Sequence, residues 1–265
     1  MPPAEALAIF AAAVAAGGIN AVVGSGSLIT FPTLLAFGFP AVIANVSNNV
    51  GLVFGNITGS VGYRSELAGQ RAVLLRLCVA SMAGSLAGAI LLLSLPPSAF
   101  TLIVPVLILL SCALVIVQPR LNAWLARRRA ATGEEGGAGQ QSTGGEQRPG
   151  PVLPAGIALA GAYGGYFGAA QGVLVIGLLG SFLHADLQRA NAGKNVLVAV
   201  VNGTAAVVFI FFAHVNWVVA GLIAVGSAAG GVLGARVGRK LPPLALRIII
   251  VVIGLVAAAK LVFFG

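Results

Sequence analysis

The sequence contains one long internal repeat, which limits the possible folds more than any other feature. Residues 17–119 align without a gap with residues 163–265, at a fixed offset of 146 positions. The identities at this offset include Asn, Gly and Pro: Gly18 and Gly164, Asn45 and Asn191, Asn49 and Asn195, Asn56 and Asn202, and Leu95-Pro96-Pro97 and Leu241-Pro242-Pro243. Unrelated apolar sequences would match mainly in Leu, Val and Ala. The pattern therefore predicts two structurally equivalent halves.

Both halves are apolar enough to lie in a lipid bilayer. Hydrophobic residues make up 58% of the chain, charged residues 8%, and the mean hydropathy is +1.03. Runs such as 72–95 and 99–117 are long enough to cross a hydrocarbon core of roughly 30 Å as helices. The alternating pattern of a membrane barrel is absent. We expect an all-α polytopic membrane protein.

The domain organisation follows from the repeat. Residues 1–119 form the first transmembrane repeat and residues 152–265 the second, each with a glycine-broken stretch (5–38 and 152–183) and three plain spans. The spans are 41–63, 72–95 and 99–117 in the first repeat, and 192–213, 217–236 and 244–264 in the second. Residues 120–151 are rich in Gly, Gln, Arg and Glu and have few large apolar side chains. This composition predicts a disordered linker.

The basic residues predict opposite orientations for the two repeats. The loop with Arg64, Arg71 and Arg76 is basic, whereas the following turn at 96–97 is neutral. In the second repeat the loop at 213–216 is neutral and the turn at 242–243 is flanked by basic residues. Cytoplasmic loops are enriched in Lys and Arg, which favours inverted repeats with a cytoplasmic linker over a parallel four-plus-four arrangement that would put the basic residues 236–247 outside. Each glycine-broken stretch must then cross an even number of times, as a re-entrant hairpin or as two short helices.

The repeated asparagines form two polar stripes. Asn45, Asn49 and Asn56 fall within about 40° of one another on a helix, and their equivalents do the same. Such amides can bond between helices, contributing roughly 0.6 to 2 kcal/mol each. Two equivalent stripes favour the other interpretation, a polar path at the repeat interface.

Asn48 and Lys194 are equivalent positions beside these stripes. An ionisable group inside a membrane span is costly and indicates function. A lysine near the start of a span can also extend to the membrane surface. The sequence leaves both interpretations of Lys194 open.

The two glycine breaks, 24–27 (GSGS) and 169–172 (AAQG), are the remaining candidate site elements. Glycines allow left-handed turns and close backbone approach, and a helix that begins at such a break directs N–H groups towards an anion. Glycines in membrane helices also serve packing alone.

The sequence lacks the residues that several classes of protein function require. The six acidic residues lie at the terminus, in loops or in the linker, which disfavours a cation carrier or a carboxylate proton relay. His184 and His214 have no plausible metal-ligand partners, so we expect no enzyme, metal site or cofactor. The basic residues that give the chain its net charge of +9 lie at segment ends and in the linker. In these places they are typical of topology signals and do not indicate a nucleic-acid-binding surface.

The residues of the first repeat resemble a known family. The run 18–27 (GINAVVGSGS), the Pro-containing run 28–38 and the helix 41–63 are similar to the opening of the sulfite exporter TauE/SafE family. Residues 161–168 (GAYGGYFG) to 190–191 are similar to the family's second copy. Ser25 and Ser27 stand where glycines are usual, and 169–171 weakens the second glycine element. The resemblance implies transport of sulfite, sulfonates or related organic anions across the cytoplasmic (inner) membrane.

The sequence thus predicts a secondary transporter that binds a small anion at the repeat interface and works by alternating access. A coupling ion, H⁺ or Na⁺, and the oligomeric state stay open. The alternatives are an anion channel and a non-transporting membrane assembly factor. The predicted substrate-binding residues are Ser25, Gly26, Ser27, Asn45, Asn48, Asn49, Asn56, Gln171, Gly172, Asn191, Lys194, Asn195 and Asn202.

Overall fold

The computed structural model describes residues 1–131, 150–183, 187–237 and 243–264. These ranges form ten α-helices and one 3-10 turn (Arg64–Leu67), with no strand among them. The helices are α1 (Pro3–Val22), α2 (Ser27–Ala36), α3 (Ala41–Gly62), α4 (Arg71–Ser94), α5 (Pro97–Ala131), α6 (Val152–Tyr166), α7 (Gln171–Phe182), α8 (Leu187–Phe212), α9 (Trp217–Val237) and α10 (Pro243–Phe264).

The helices are those of a membrane protein. Five of those in the described ranges are long and apolar enough to span a bilayer: Pro3–Val22, Arg71–Ser94, Pro97–Trp124, Gln188–Phe212 and Trp217–Arg236. Large apolar side chains cover the outer surface, and Leu102 and Phe212 are 78% and 77% exposed. A helix satisfies its own backbone groups, which lipid cannot do. The predicted all-α polytopic membrane fold is confirmed.

Each glycine-broken stretch forms two helices separated by a short break. We call residues 23–26, between α1 and α2, the first break, and residues 167–172, which join α6 to the first two residues of α7, the second break. Gly24 has φ +84° and Ala170, its equivalent in the repeat, has φ +57°. Because both residues adopt a left-handed backbone that no helix continues through, the chain turns at the same position in both halves.

The halves interlock through glycine contacts. Helix α1 packs along α9, and α6 packs along α4, so the first helix of each half lies on the fourth major helix of the other. A Cβ atom added at Gly84 would lie 1.9 Å from the carbonyl oxygen of Ala158, and one at Gly230 would lie 2.0 Å from that of Val14. Glycine is needed at these crossings because no larger side chain fits without separating the helices.

The contacts also give the relative directions of the helices. Gly51 lies by Ala220 and Gly62 by Ala235, so α3 and α9 run in parallel. Helix α8 runs against α3, since Asn49 bonds to Asn202 while Gly59 lies beside Asn195. The equivalent helices α3 and α8 are therefore antiparallel.

One end of the bundle is basic. The turn between α3 and α4 carries Arg64 and Arg71, and the start of α8 meets it, where the Arg189 guanidinium donates to the carbonyl oxygen of Ala68 at 2.9 Å. Arg236 lies at the same end, next to the Ala235 contact with Gly62.

Only part of the predicted linker, residues 120–131 and 150–151, lies within the described residues. Helix α5 does not end near 117 but continues to Ala131, so residues 120–131, assigned to the disordered linker, are helical. Leu, Ala and Arg in this stretch are good helix formers, which explains the extension. Residues 132–149 of the linker, His184 and the turn residue Pro242 lie outside the described residues.

Candidate functional site

The two breaks meet each other inside the protein. The backbone N–H of Gly172 donates to the carbonyl oxygen of Gly24 at 3.1 Å. A Cβ atom added at Gly24 would lie 2.6 Å from the Gly172 Cα atom. The two backbones are therefore in contact, and a side chain at either position would push them apart.

Lys194 lies against this contact. Its Cδ atom would lie 3.2 Å from a Cβ at Gly24 and 3.0 Å from one at Gly172, and the residue is 0% exposed. Its Nζ atom donates to the carbonyl oxygens of Asn20 at 2.9 Å and Ala21 at 3.2 Å. Lys194 thus does not extend to the membrane surface, and of the two interpretations of this residue the structure supports the buried one.

Two amides of α8 bind the same end of α1. Asn191 and Asn195 both donate to the Ala21 carbonyl oxygen, at 3.2 and 3.3 Å. Helix α1 ends at Val22, so these carbonyls belong to its negative end. Three side chains of α8 therefore cover the carbonyl groups that would otherwise repel an anion.

The stripe on α3 makes a matching contact with the other half. Asn45 donates to the carbonyl oxygen of Tyr166, the last residue of α6, at 3.0 Å. The two stripes meet directly where Asn49 donates to Asn202 at 3.3 Å. Both predicted stripes are buried, and they face each other across the boundary between the halves.

Asn20 is a member of this group that the sequence reasoning missed. It donates to the Asn56 side chain, and its own Oδ1 atom accepts from the Gly26 N–H at 3.3 Å. Its signal in the sequence is an amide in an apolar helix, three residues before the first break. The repeat does not point to it, because its equivalent at the repeat offset, Tyr166, is not an amide.

Two of the predicted residues stand apart from this centre. Asn48 lies on the side of α3 that faces α2, where its Oδ1 atom accepts a hydrogen bond from Thr30. Ser27 is only partly buried at the start of α2. The Gln171 side chain is buried at the start of α7 and lies against Gly164 of α6.

Many polar atoms of this region are buried without a hydrogen-bond partner among the described residues. At the breaks these are Ser25 Oγ and both side-chain polar atoms of Gln171. On the stripes they are Asn49 Oδ1, Asn56 Nδ2 and Asn191 Oδ1. Each such atom costs roughly 1 to 3 kcal/mol, so this concentration is typical of a binding site for a polar ligand.

Helix α5 holds both breaks from one side. Gln118 donates to the Val23 carbonyl oxygen at 3.3 Å, and Ser111 donates to that of Ala169 at 3.0 Å. Val23 and Ala169 are equivalent residues, each directly before the left-handed residue of its break. The Tyr163 hydroxyl also donates to the Ala169 oxygen, at 2.6 Å. These hydroxyl and amide side chains were not predicted from the sequence.

Comparisons with known proteins find a family of membrane exporters and several probable membrane transporters. A model of the family described as "Sulfite exporter TauE/SafE" matches residues 9–261. The chain is 25% identical over 260 residues to the "Probable membrane transporter protein YfcA" of Escherichia coli (strain K12), covering 96% of this chain and 88% of the relative.

Proteins of two other organisms are also similar to the chain. A "Probable membrane transporter protein" of Haemophilus influenzae is 24% identical over 258 residues, with coverage of 96% and 93%. The "Probable membrane transporter protein ORF9" of Sinorhizobium sp is 24% identical over 253 residues, with coverage of 96% and 90%. No solved structure matches the chain.

Proposed function

The chain belongs to the sulfite exporter TauE/SafE family and is a membrane transporter, and we propose that it carries a small anion by alternating access, with the substrate bound where the two breaks meet. The observation that carries this proposal is the set of buried, unpartnered polar atoms at the breaks and on the two stripes. Burying so many unsatisfied polar groups in one place destabilises a membrane protein. Their presence therefore favours a site in which a bound solute forms hydrogen bonds with them.

The electrostatics of the site favour an anion. Helices α2 and α7 begin at the breaks, so their positive ends point to the region where Gly24 meets Gly172. The backbone N–H groups of Ser25 and Ser27 have no partner among the described residues. The opposing negative end of α1 is covered by Lys194 and its two neighbouring amides.

The proposed topology is that of an inverted repeat. The antiparallel direction of α3 and α8 supports it, as does the exchange of packing partners between the halves. The basic end with Arg64, Arg71, Arg189 and Arg236 would face the cytoplasm, as would the linker that follows α5. On this proposal the protein lies in the cytoplasmic membrane, and the two stripes line a path that opens to one side at a time.

The proposed substrates are sulfite, sulfonates and related organosulfur or organic anions. The printed family description supports this class, and the site offers the small polar donors that replace the hydration shell of an oxyanion. No acidic side chain lines the site in the described parts of the chain, so a coupling Na⁺ would have to bind to amide and carbonyl oxygens, and a coupling H⁺ would not be carried by a carboxylate.

The test is a flux assay with purified protein in liposomes. Sulfite, thiosulfate, sulfoacetate and sulfate are offered as substrates, and we expect saturable uptake of at least one. Replacing Asn49 or Asn195 by Leu should lower the rate at least about tenfold, because each removes an amide from the junction of the two halves. The control is Thr204→Val, since this α8 hydroxyl bonds only within its own helix, to Val200 at 2.8 Å.

The same assay separates the alternatives. A channel would show flux that does not saturate with substrate concentration. An assembly factor would show no flux of any of the four anions. Flux that is unchanged in both Asn→Leu variants would disprove the assignment of the site, provided that both variants are recovered folded from the membrane.

A further inference from the structure

Among the described residues the site contains a single cationic side chain, and from this we infer that the transporter selects anions by charge and prefers monoanions over dianions of the same shape. This inference rests on the proposed function and adds a rule for its substrate. It concerns Lys194, whose stem contacts both breaks and which is fully buried.

The groups that face Lys194 are neutral on every side. Helix α1 presents the carbonyl oxygens of Asn20 and Ala21, and α8 itself presents the amides of Asn191 and Asn195. The two breaks present glycine backbone. Among the described residues, Lys194 is therefore the one charged side chain at the meeting point.

The neighbouring cation of α8 does not reach the site. Arg189 lies five residues before Lys194, which is about 7.5 Å along the helix axis. Its side chain is exposed and bonds to the Ala68 carbonyl oxygen at the basic end of the bundle. Water screens a charge in this position, so Arg189 attracts anions to the protein but does not neutralise one inside it.

The charge balance of the loaded site follows. One lysine and one monoanion give a neutral site, whereas one lysine and one dianion leave a net negative charge. A buried net charge is expensive in a medium of low dielectric constant, and far more so than a paired one. An alternating-access carrier must hold its substrate while it is closed to water on both sides, so the penalty applies in full at that step.

The internal repeat supplies a comparison within the same chain. The position equivalent to Lys194 is Asn48, which is also buried but is neutral and bonded to Thr30. Lys194 reaches the last carbonyls of α1, so by equivalence a lysine at position 48 would reach those of α6 near Tyr166. This sequence thus has a cation at one of the two equivalent positions and a neutral amide at the other.

The experiment compares methanesulfonate with sulfate, since both are tetrahedral sulfur oxyanions and differ by one charge. Uptake into liposomes and the shift in melting temperature on adding each anion are measured for the intact protein. We expect methanesulfonate to be taken up at least tenfold faster than sulfate at equal concentration, and to be the stronger stabiliser.

Two variants test the role of charge. Lys194→Gln should lower methanesulfonate uptake at least tenfold, while Lys194→Arg keeps the charge and should retain part of the uptake. Asn48→Lys should raise the ratio of sulfate to methanesulfonate uptake at least tenfold. A melting curve for each variant shows that it is folded, and if Asn48→Lys does not fold, the wild-type ratio and Lys194→Gln decide.

The outcomes are distinguishable. Equal uptake of sulfate and methanesulfonate by the wild type would overturn the charge rule and leave the proposed function intact. So would a folded Asn48→Lys protein with an unchanged ratio. If the wild type takes up and binds neither of these anions and none of the four in the earlier panel, the proposed function itself is disproved.

Discussion

The two breaks share a backbone shape but differ in chemistry. In both, a left-handed residue follows a carbonyl that α5 holds, and a short helix begins directly afterwards. The first break uses Gly24 for this turn and the second uses Ala170. Beside the breaks, Asn48 of α3 bonds to Thr30, whereas its equivalent Lys194 reaches across to α1. The two halves therefore share a framework, and the side chains at equivalent positions within it differ.

The largest expected effect comes from exchanging the left-handed residues. Gly24→Ala places a methyl group 2.6 Å from the Gly172 Cα atom and a side chain at φ +84°. We expect a loss of at least about 3 kcal/mol in the free energy of unfolding, because two backbones must separate and the strained conformation adds about 1 to 2 kcal/mol. Thermal unfolding in detergent measures this effect.

Replacing the left-handed alanine of the second break by glycine should raise the free energy of unfolding. Ala170→Gly removes the left-handed strain, and the added freedom of the unfolded chain offsets part of the gain, so we expect a stabilisation of up to about 1 kcal/mol. Destabilisation by Ala170→Gly would show that the Ala170 methyl group, which is fully buried, contributes more by packing than its conformation costs.

The next variants, Asn20→Leu and Thr30→Val, should distinguish a loss of transport from a loss of stability. Asn20→Leu leaves the Asn56 amide and the Gly26 N–H without a partner, and we expect transport to fall at least about tenfold. Thr30→Val, its control, removes the partner of Asn48 and should cost about 1 to 3 kcal/mol of stability while the folded protein transports within about threefold of the wild type. Equal losses of transport in both variants would place Asn48 in the transport path.

The smallest expected effects concern the bonds from α5. Gln118→Leu leaves the Val23 carbonyl oxygen without its side-chain donor and should cost about 1 kcal/mol. Ser111→Ala should cost less, since the Tyr163 hydroxyl still donates to the Ala169 oxygen. The order of the two melting temperatures tests this, and a larger loss from Ser111→Ala would mean that Tyr163 depends on Ser111 for its position, consistent with the 2.7 Å contact between their oxygens.

Much of the fold could be predicted because apolar composition and a gap-free repeat restrict a chain strongly. The α3 span was predicted as 41–63 and is Ala41–Gly62. The spacing of Asn45, Asn49 and Asn56 gave the face of the helix that is buried, because helical periodicity is a local property.

The contacts of the site could not be predicted in the same way. Periodicity places a residue on a face but does not say which helix lies opposite, so Asn48 and Lys194, equivalent in sequence, have unrelated partners. Lys194 was judged to lie near the start of a span because the span was expected to begin at 192, whereas α8 begins at Leu187. Because Gln188, Arg189 and Asn191 are polar, the apolar pattern does not show that the helix starts one turn earlier and that Lys194 lies deeper within it.

One helix connects features that are far apart in the sequence. Ser111 and Gln118 are seven residues apart, which puts them on the same side of α5, and each binds the carbonyl of a different break. The same helix continues to Ala131, from which the linker departs. A displacement of α5 along its axis would therefore shift the anchors of both breaks together and by the same distance. Either break can move alone only by giving up its bond to this helix, so α5 couples the positions of the two turns to each other.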